Sequence, residues 1–288
     1  MKLSDLFASG KFVVTAEVAP PKGADLTEFL DHADGLKQRV AAINVTDQQS
    51  SVMRLGSMAA SLRLKERGIE PVFQLTCRDR NRIALQSDLL SAWALGIENV
   101  LCLTGDHVTL GDFPSAKPVF DLDSVSLLTA AERLNAGEDL AGNELAGKTD
   151  FCLGAVVTPG ADPVDLQVFK MEKKIAAGAC FFQTQAVYDA PAFEAFMARV
   201  NGLGVPVMAG IILLKSAGMA RFMNKNIAGV HVPEALIDEM SSAEDRPAKS
   251  VELAARLIRE VKDLCQGVHI MPLGWERHVP AVLDAAAL

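Results

Sequence analysis

Short apolar runs alternate with longer, helix-like segments along nearly all of this 288-residue chain. Runs of this length, rich in β-branched residues and without regular polar alternation, are typical of strands buried on both faces of a sheet. The predicted strands are Phe12–Val18, Ala41–Thr46, Pro71–Thr76, Asn99–Leu103, Asp150–Val156, Cys180–Gln185, Val205–Ile211 and Gly267–Leu273. The predicted helices are Leu26–Gln38, Ser57–Arg67, Asn81–Leu95, Ser124–Asn135, Val164–Ala177, Ala190–Arg199, Ser216–Asn224, Glu234–Met240, Ala248–Cys265 and Trp275–Ala286.

This alternation predicts a parallel sheet, because parallel neighbours need a crossover connection that is usually a helix. Eight strand–helix units match the size of a (β/α)8 barrel, which typically needs about 250 residues. We therefore predict an α/β fold in which residues 1–288 form one (β/α)8 TIM-barrel domain. The alternative is an open doubly wound sheet, but no G-x-G-x-x-G fingerprint follows the first predicted strand.

Composition excludes several classes of function. A net charge of −8 argues against sequence-independent nucleic-acid binding, which requires a basic surface. No apolar run approaches the length of a membrane span, so none is predicted. The five cysteines form no C-x-x-C pair, which favours unpaired thiols in a reducing, cytoplasmic setting. No His, Cys or carboxylate pair has the spacing of metal ligands, so we predict no metal site.

Polar residues stand at the ends of the predicted strands, where a barrel would bring them to one rim. They are Glu17, Thr46-Asp47-Gln48, Gln74, Thr76, Thr104-Gly105-Asp106-His107, Thr158, Gln185 and Lys215. Active sites of these barrels form at the carboxyl ends of the strands. A ring of acids, amides and hydroxyls at that rim predicts a binding site. The long loop Thr104–Asp121 lies on the same face and is a candidate lid, whereas Ala136–Lys148 belongs to the opposite end.

Glu17 is the most informative of these residues, because it interrupts an apolar strand just before Pro20-Pro21. An unpaired buried charge is costly, so such a carboxyl tends to keep its proton and can act as a general acid. The structural alternative is a carboxylate that is solvated or paired with a lysine. Structural alternatives stay open for other rim residues as well. Thr46, Thr76 and Gly105-Asp106 could belong to ordinary turns, and Lys215 could be an ordinary lysine that extends its charged end to solvent.

The order of motifs resembles that of the methylenetetrahydrofolate reductase family over nearly the whole chain. The most specific segments resemble the family's opening F-E-x-x-P-P and its K-x-x-A-G-A…T-Q. In this chain these segments read Ala16-Glu17-Val18-Ala19-Pro20-Pro21, and Lys174-Ile175-Ala176-Ala177-Gly178-Ala179 followed by Gln183-Thr184-Gln185. Shorter matches are Asn44-Val45-Thr46-Asp47, Gln74-Leu75-Thr76-Cys77 (similar to H-L-T-C) and Thr104-Gly105-Asp106 (similar to R-G-D).

The resemblance implies a barrel with a non-covalent flavin, FAD with FMN as the alternative, that reduces 5,10-methylenetetrahydrofolate to 5-methyltetrahydrofolate. By resemblance, Glu17 is the general acid, Asp106 is a second catalytic residue that lies near the pterin and the flavin and tunes both, and Gln185 binds the pterin. The residues that the resemblance assigns to the cofactor are Thr46, Gln74, Thr104, Gly105, Asp106, Ala155 and Lys174. A general acid at Glu17 also fits the chemistry of this reaction, because a neutral amine is a poor leaving group and needs protonation.

Departures from the family pattern concern the electron donor. Gln74 stands where many members have His, and Thr104 replaces the Arg of R-G-D. The last strand ends in Met271-Pro272-Leu273-Gly274-Trp275-Glu276 rather than in a segment with tyrosine and arginine. The segment Asn44-Val45-Thr46-Asp47 and the Gly274-Trp275 ending resemble a divergent, short branch of the family. The donor is therefore left open as NADH, NADPH or a redox partner protein, and the physiological direction is open as well. The oligomeric state is also open and includes a homo-oligomer.

Two competing hypotheses remain at this level. One is a flavin-bearing subunit of a multi-protein electron-transfer complex that has no direct NAD(P)H activity. The other is an unrelated barrel enzyme without flavin, such as an aldolase or a methyltransferase, whose mark would be a Schiff-base lysine at a strand end. Lys215 is the candidate for that lysine.

Overall fold

The computed structural model describes residues 1–288, and its centre is a closed barrel of eight parallel strands in sequential order. The strands are β1 (Val13–Val18), β2 (Ala42–Val45), β3 (Pro71–Thr76), β4 (Asn99–Leu103), β5 (Cys152–Val157), β6 (Phe181–Ala186), β7 (Val207–Ile212) and β8 (Gly267–Met271). The barrel closes where Val14 of β1 pairs with Val268 of β8. The predicted (β/α)8 barrel is confirmed, and the open doubly wound sheet is wrong.

Helices surround the barrel and follow the predicted order. They are α1 (Leu3–Ala8), α2 (Thr27–Leu36), α3 (Ser57–Glu66), α4 (Arg82–Ala94), α5 (Ser124–Ala136), α6 (Asp165–Ala176), α7 (Ala190–Val200), α8 (Ala217–Asn226), α9 (Glu234–Ser242), α10 (Arg246–Val261) and α11 (Val279–Ala286). Three of them, α8 to α10, lie between β7 and β8. No helix is both long and apolar enough to cross a bilayer.

Strand ends differ from the prediction where the backbone cannot join the ladder. β7 begins after Pro206 and β8 ends before Pro272, because proline has no N–H to donate. β5 begins two residues later than predicted. The N–H of Phe151 donates to the side chain of Asn135 at 2.8 Å and not to a neighbouring strand.

The first helix, α1, was not predicted, because six residues are too few to show a helical period. It closes the amino-terminal end of the barrel. Leu3 is fully buried in a small cluster with Val13 and Phe181, and its N–H donates to Oδ1 of Asn99 at 2.8 Å. The ring of Phe7 lies 6.0 Å from that of Phe181. The opposite end of the barrel is thereby the one left open for a site.

Part of the barrel interior is polar rather than apolar. Thr15, Asn44, Gln183 and His269 are buried on β1, β2, β6 and β8, and they are joined by hydrogen bonds across the barrel. A buried polar side chain is tolerated when it has partners. This network runs from the barrel centre toward the carboxyl ends of the strands.

The five cysteines are free, as predicted. Four are buried and Cys180 is partly buried. Burial raises the pKa of Cys77 to about 12, so this thiol stays protonated at neutral pH. The sulfurs of Cys152 and Cys180 lie 3.3 Å apart at the start of β5 and β6, away from the open end of the barrel.

Candidate active site

Glu17 lies near the carboxyl end of β1, and its side chain is buried at the open end of the barrel. Two amides hold the carboxylate. Nε2 of Gln49 donates to Oε1 at 2.9 Å, and Nε2 of Gln74 donates to Oε2 at 3.2 Å. Nε2 of His269 lies 3.8 Å from Oε2. No lysine pairs with this carboxylate, so the lysine ion pair considered for Glu17 is not what the structure shows.

A cavity of about 560 Å³ opens beside Glu17 between the ends of β1 and β8. Its lining mixes both signs of charge. The charged and titratable residues around it are Glu17, Lys22, Asp25, Glu28, His32, Arg54 and Glu276. The volume lies within the usual range for small-molecule sites, roughly 300–1,000 Å³. A buried carboxylate at the edge of such a cavity can exchange a proton with a ligand in it.

Asp47, at the end of β2, organises the neighbouring part of the rim. Its Oδ2 accepts from the N–H and hydroxyl of Thr76 at 2.9 and 2.8 Å, and from Nη1 of Arg80 at 2.8 Å. Burial alone would lower the pKa of Arg80, but the bonds to Asp47 and the charge of Asp88 raise it. The strong hydrogen bonds of this carboxylate are therefore all made to other residues of the protein, which gives Asp47 a structural role at the site.

The segment Thr104-Gly105-Asp106 follows β4 and faces a smaller cavity of about 280 Å³, which Gln74 also lines. Gly105 has φ +90°, and a Cβ there would lie 3.0 Å from Cβ of Thr76, so only glycine fits without strain. The Thr104 hydroxyl accepts from the N–H of Ser124 at 3.0 Å. The structure thus brings Glu17, Gln74 and Asp106 to one region, with Asp106 exposed at its edge.

A third cavity, of about 580 Å³, lies between the ends of β4 and β5 and helix α6. Lys170, Lys173 and Lys174 all line it, together with Thr104. Nζ of Lys174 donates to the carbonyl of Val156 at 2.6 Å. Burial lowers the pKa of Lys174, and the charge of Lys170 lowers it further. Three neighbouring cations around one cavity favour an anionic ligand.

Other residues singled out from the sequence lie apart from these cavities. Thr46 is buried, and its hydroxyl has no hydrogen-bond partner. Ala155 is fully buried in the core. Oε1 of Gln185 accepts from the N–H of Ala186 at 3.0 Å. Lys215 donates to the carbonyl of Leu273, and its Nζ lies 5.6 Å from the ring centroid of Trp275. This lysine has the contacts of a structural residue.

The long loop after β4 is docked against the rim. Asp112 forms an ion pair with Lys22 and accepts from the N–H of Met53 at 3.3 Å. At the carboxyl end of the loop, Asp121 pairs with Arg82 at 2.8 Å. The loop therefore contacts the segments after β1 and β2, which border the cavity beside Glu17.

Three groups at the site were not predicted. Gln49 stands in a short turn in which Gln48 and Ser50 have positive φ, a conformation that no residue pattern announces. His269 lies inside β8, where alternation along the strand could have identified an inward side chain. Lys170 shares a helix face with Lys173 and Lys174, because it lies three and four residues before them.

Comparison with known proteins identifies the family. A family model described as "Methylenetetrahydrofolate reductase" matches residues 2–287. The chain belongs to the methylenetetrahydrofolate reductase family. The predicted resemblance is confirmed, and the unrelated barrel enzyme is wrong.

Relatives and solved structures agree with membership of this reductase family. The chain is 28% identical over 212 residues to 5,10-methylenetetrahydrofolate reductase of Pectobacterium carotovorum, covering 70% of this chain and 64% of that protein. It is 23% identical over 231 residues to methylenetetrahydrofolate reductase 1 of Schizosaccharomyces pombe, covering 76% of this chain but 36% of the relative. The chain thus spans less than two thirds of the length of these relatives.

A solved Clostridium thermocellum structure superposes on the whole barrel with TM-score 0.70 and 16% identity, covering 99% of this chain and 97% of that chain. Its description states that it binds two copies of 5-methyl-5,6,7,8-tetrahydrofolic acid. Oxaloacetate acetylhydrolase superposes less closely, with TM-score 0.53 and 10% identity over 100% of this chain and 87% of that chain. At these identities the superpositions show the fold alone.

Proposed function

We propose that this chain catalyses the flavin-dependent reduction of 5,10-methylenetetrahydrofolate to 5-methyltetrahydrofolate, or the reverse reaction. The observation that carries the proposal is the buried carboxylate of Glu17, held by amide donors at the edge of a 560 Å³ cavity in a member of this family. An amide donor is neutral and cannot take the proton from the carboxyl group. Glu17 is thereby free to give that proton to a ligand.

The reduction requires the five-membered ring of the substrate to open, so a C–N bond must break. A neutral amine nitrogen leaves poorly, and a general acid that protonates it contributes on the order of 10²–10⁴ in rate. Glu17 supplies that proton. The carboxylate that remains keeps the N–H donors of Gln49 and Gln74 at 2.9 and 3.2 Å, which stabilise its charge. In the reverse direction the same carboxylate takes the proton back.

The lysine-lined cavity fits a flavin that carries phosphate. Its three cations lie at the ends of β4 and β5, next to the Thr104-Gly105 turn. Lys170, Lys173 and Lys174 would hold the phosphate groups, and the missing Cβ of Gly105 lets the neighbouring turn pack closely against Thr76. Gln74, which lines the adjoining cavity, also belongs to the set that we assign to the cofactor, whereas Thr46 and Ala155 are buried and would support this site from beneath without touching the ligand. When bound, FAD or FMN supplies the hydride that reduces the one-carbon unit.

The folate would lie above the strand ends between Asp106 and Gln185. A carboxylate and an amide provide the acceptors and donors that the edge of a pterin ring requires. The exposed carboxylate of Asp106 also borders the cavity that Gln74 lines, which supports a position between the two ligands. Folate binding by the structurally similar Clostridium thermocellum protein supports this class of ligand.

The electron donor is NADH, NADPH or a partner protein, and one observation favours the partner. Met53, Leu110 and Phe113 are apolar and more than half exposed on the segments that border the site, where Met53 and Asp112 are hydrogen-bonded. Exposed apolar residues around a site are typical of protein contacts. Stopped-flow mixing of the oxidised holoenzyme with NADH and with NADPH distinguishes a nicotinamide donor from a partner protein. Absence of flavin reduction by either nucleotide supports the subunit of an electron-transfer complex.

The proposal is tested with purified protein loaded with FAD or FMN. We expect flavin absorption bands that persist through gel filtration. We also expect the chemically reduced holoenzyme to be reoxidised by methylenetetrahydrofolate under anaerobic conditions, with 5-methyltetrahydrofolate as product. Protein that retains neither flavin, or a reduced flavin that the folate does not reoxidise, would overturn the proposal.

A further inference from the structure

We infer that His269 is a positioning residue for Glu17, and that the buried network beneath it holds this imidazole in the tautomer that presents N–H to the carboxylate. The inference rests on the proposed function, in which Glu17 donates the proton. His269 does not contact the cavity. It acts only through Glu17, from inside the barrel.

The network begins with two amides that face each other across the barrel. Nδ2 of Asn44 donates to Oε1 of Gln183 at 2.8 Å, and Nε2 of Gln183 donates to Oδ1 of Asn44 at 3.2 Å. The second hydrogen on Nε2 of Gln183 is directed to Oγ1 of Thr15, also at 3.2 Å. All three side chains are buried, so water does not replace these partners.

These bonds favour one tautomer of His269. Since Oγ1 of Thr15 accepts from Gln183, its own proton is available to Nδ1 of His269, which lies 2.9 Å away. A nitrogen that accepts a hydrogen bond carries no proton, so in neutral imidazole the proton is on Nε2. Nε2 is the nitrogen that lies 3.8 Å from Oε2 of Glu17.

The 3.8 Å separation is longer than a hydrogen bond, so no bond joins the two side chains in this structure. Once Glu17 has given the proton away, an approach of about 1 Å completes an N–H···O bond to the new carboxylate. Gln49 and Gln74 then act with His269 as three donors on one charge. A bond made to the charged form favours proton release and thus the ring-opening step.

Two substitutions at His269 test the roles of its two ring nitrogens one at a time. Asn places an amide near the position of Nδ1 and can keep the contact with Thr15, but it cannot reach Glu17. Gln places an amide near the position of Nε2 and keeps a donor toward Glu17. We expect His269→Asn to slow reoxidation of the reduced flavin by methylenetetrahydrofolate about tenfold, the equivalent of one charged hydrogen bond. We expect His269→Gln to recover most of that rate.

The pH profile provides a readout that a general packing defect would not move. The folate half-reaction needs protonated Glu17, so its rate falls as pH rises. Loss of a donor to the carboxylate favours the protonated form, so the midpoint of that fall in rate should lie at higher pH in His269→Asn than in wild type. The midpoint in His269→Gln should be the same as in wild type. The other charged and titratable groups lining the Glu17 cavity, unchanged in both variants, are Lys22, Asp25, Glu28, His32, Arg54 and Glu276.

Thr15 offers a second, independent pair. Thr15→Val removes the hydroxyl that selects the tautomer, while Thr15→Ser keeps it. We expect Thr15→Val to reproduce the slower folate half-reaction in the wild-type background and to add nothing in His269→Asn, because both act through the same contact. This pair decides the question if His269→Asn does not fold.

The outcomes distinguish this inference from the proposed function. Equal rates and equal pH midpoints in His269→Asn and His269→Gln would overturn the positioning role, as would an equal loss in the flavin-reduction half-reaction. If Glu17→Gln abolishes folate reduction while both His269 variants match wild type, only the inference fails. If Glu17→Gln still reduces methylenetetrahydrofolate, the proposed function is contradicted, and the inference that rests on it is contradicted as well.

Discussion

The side-chain amide of Gln74 donates a 3.2 Å hydrogen bond to Oε2 of Glu17 across the carboxyl ends of β3 and β1. Gln74 stands where many family members carry histidine, a residue that changes charge near neutral pH. An amide provides the same N–H at every pH and never becomes a cation. Gln74 therefore belongs with the acid–base group as well as with the cofactor site to which the sequence assigned it.

Gln74→Leu should slow the folate half-reaction about tenfold, because the carboxylate loses a charge-assisted hydrogen bond. The rate is measured on enzyme saturated with flavin, because Gln74 also belongs to the proposed cofactor site. Gln74→His keeps a donor and should retain more activity, with an additional pH dependence that comes from the imidazole. Rapid-reaction absorbance at the flavin band measures both. A Gln74→Leu enzyme as fast as wild type would show that this contact is not used.

Gln185→Ala should weaken folate binding more than flavin binding. Oε1 of Gln185 already accepts from the N–H of Ala186, which leaves Nε2 to donate to the pterin. One hydrogen bond to a neutral ligand group corresponds to roughly fivefold to tenfold in Kd. Fluorescence titration of each ligand gives the two values. A larger loss for flavin than for folate would contradict the pterin assignment.

Lys170→Ala and Lys173→Ala should each raise the Kd of the flavin about tenfold, because each removes a cation from the phosphate cavity. Affinity should also fall as pH rises through the lowered pKa of Lys174, since the cation is lost there. Lys11→Ala, an exposed lysine at the opposite end of the barrel, is the control. Unchanged Kd values in both cavity variants would place the phosphate elsewhere.

Asp47→Asn should lower the free energy of unfolding by about 2–4 kcal/mol, because Arg80 and Thr76 lose a buried anionic acceptor. Asp284→Asn is the matched control. It removes a carboxylate from an exposed pair with Arg39 and should leave stability nearly unchanged. Urea unfolding followed by circular dichroism compares the two. Equal losses in the free energy of unfolding would show that the Asp47 contacts stabilise the fold no more than an exposed ion pair does.

The barrel could be predicted because its pattern is long and repeated. Eight buried runs separated by helical segments leave few topologies, and the structure has the same order. The rim residues followed from that fold, since parallel strands end at one face. Glu17, Gln74 and Asp106 came together for this reason alone, although they are far apart in the sequence.

What could not be predicted depends on exact side-chain contacts. The Glu17–Gln49 bond requires a turn with positive φ at Gln48 and Ser50, which many sequences would not adopt. The interior network requires knowing which strands face each other across the barrel. Helix α1 is too short for its pattern to be recognised, and its stability comes from tertiary packing rather than from local propensity.

The most direct test of the central claim is Glu17→Gln, measured in the two half-reactions separately. We expect the variant to fold, bind flavin and accept electrons at the wild-type rate, because none of these steps requires its proton. Reoxidation by methylenetetrahydrofolate should fall on the order of 10²–10⁴-fold. Glu66→Gln, at an exposed position on α3, should match wild type in both. Near-normal folate reduction by Glu17→Gln would contradict the account.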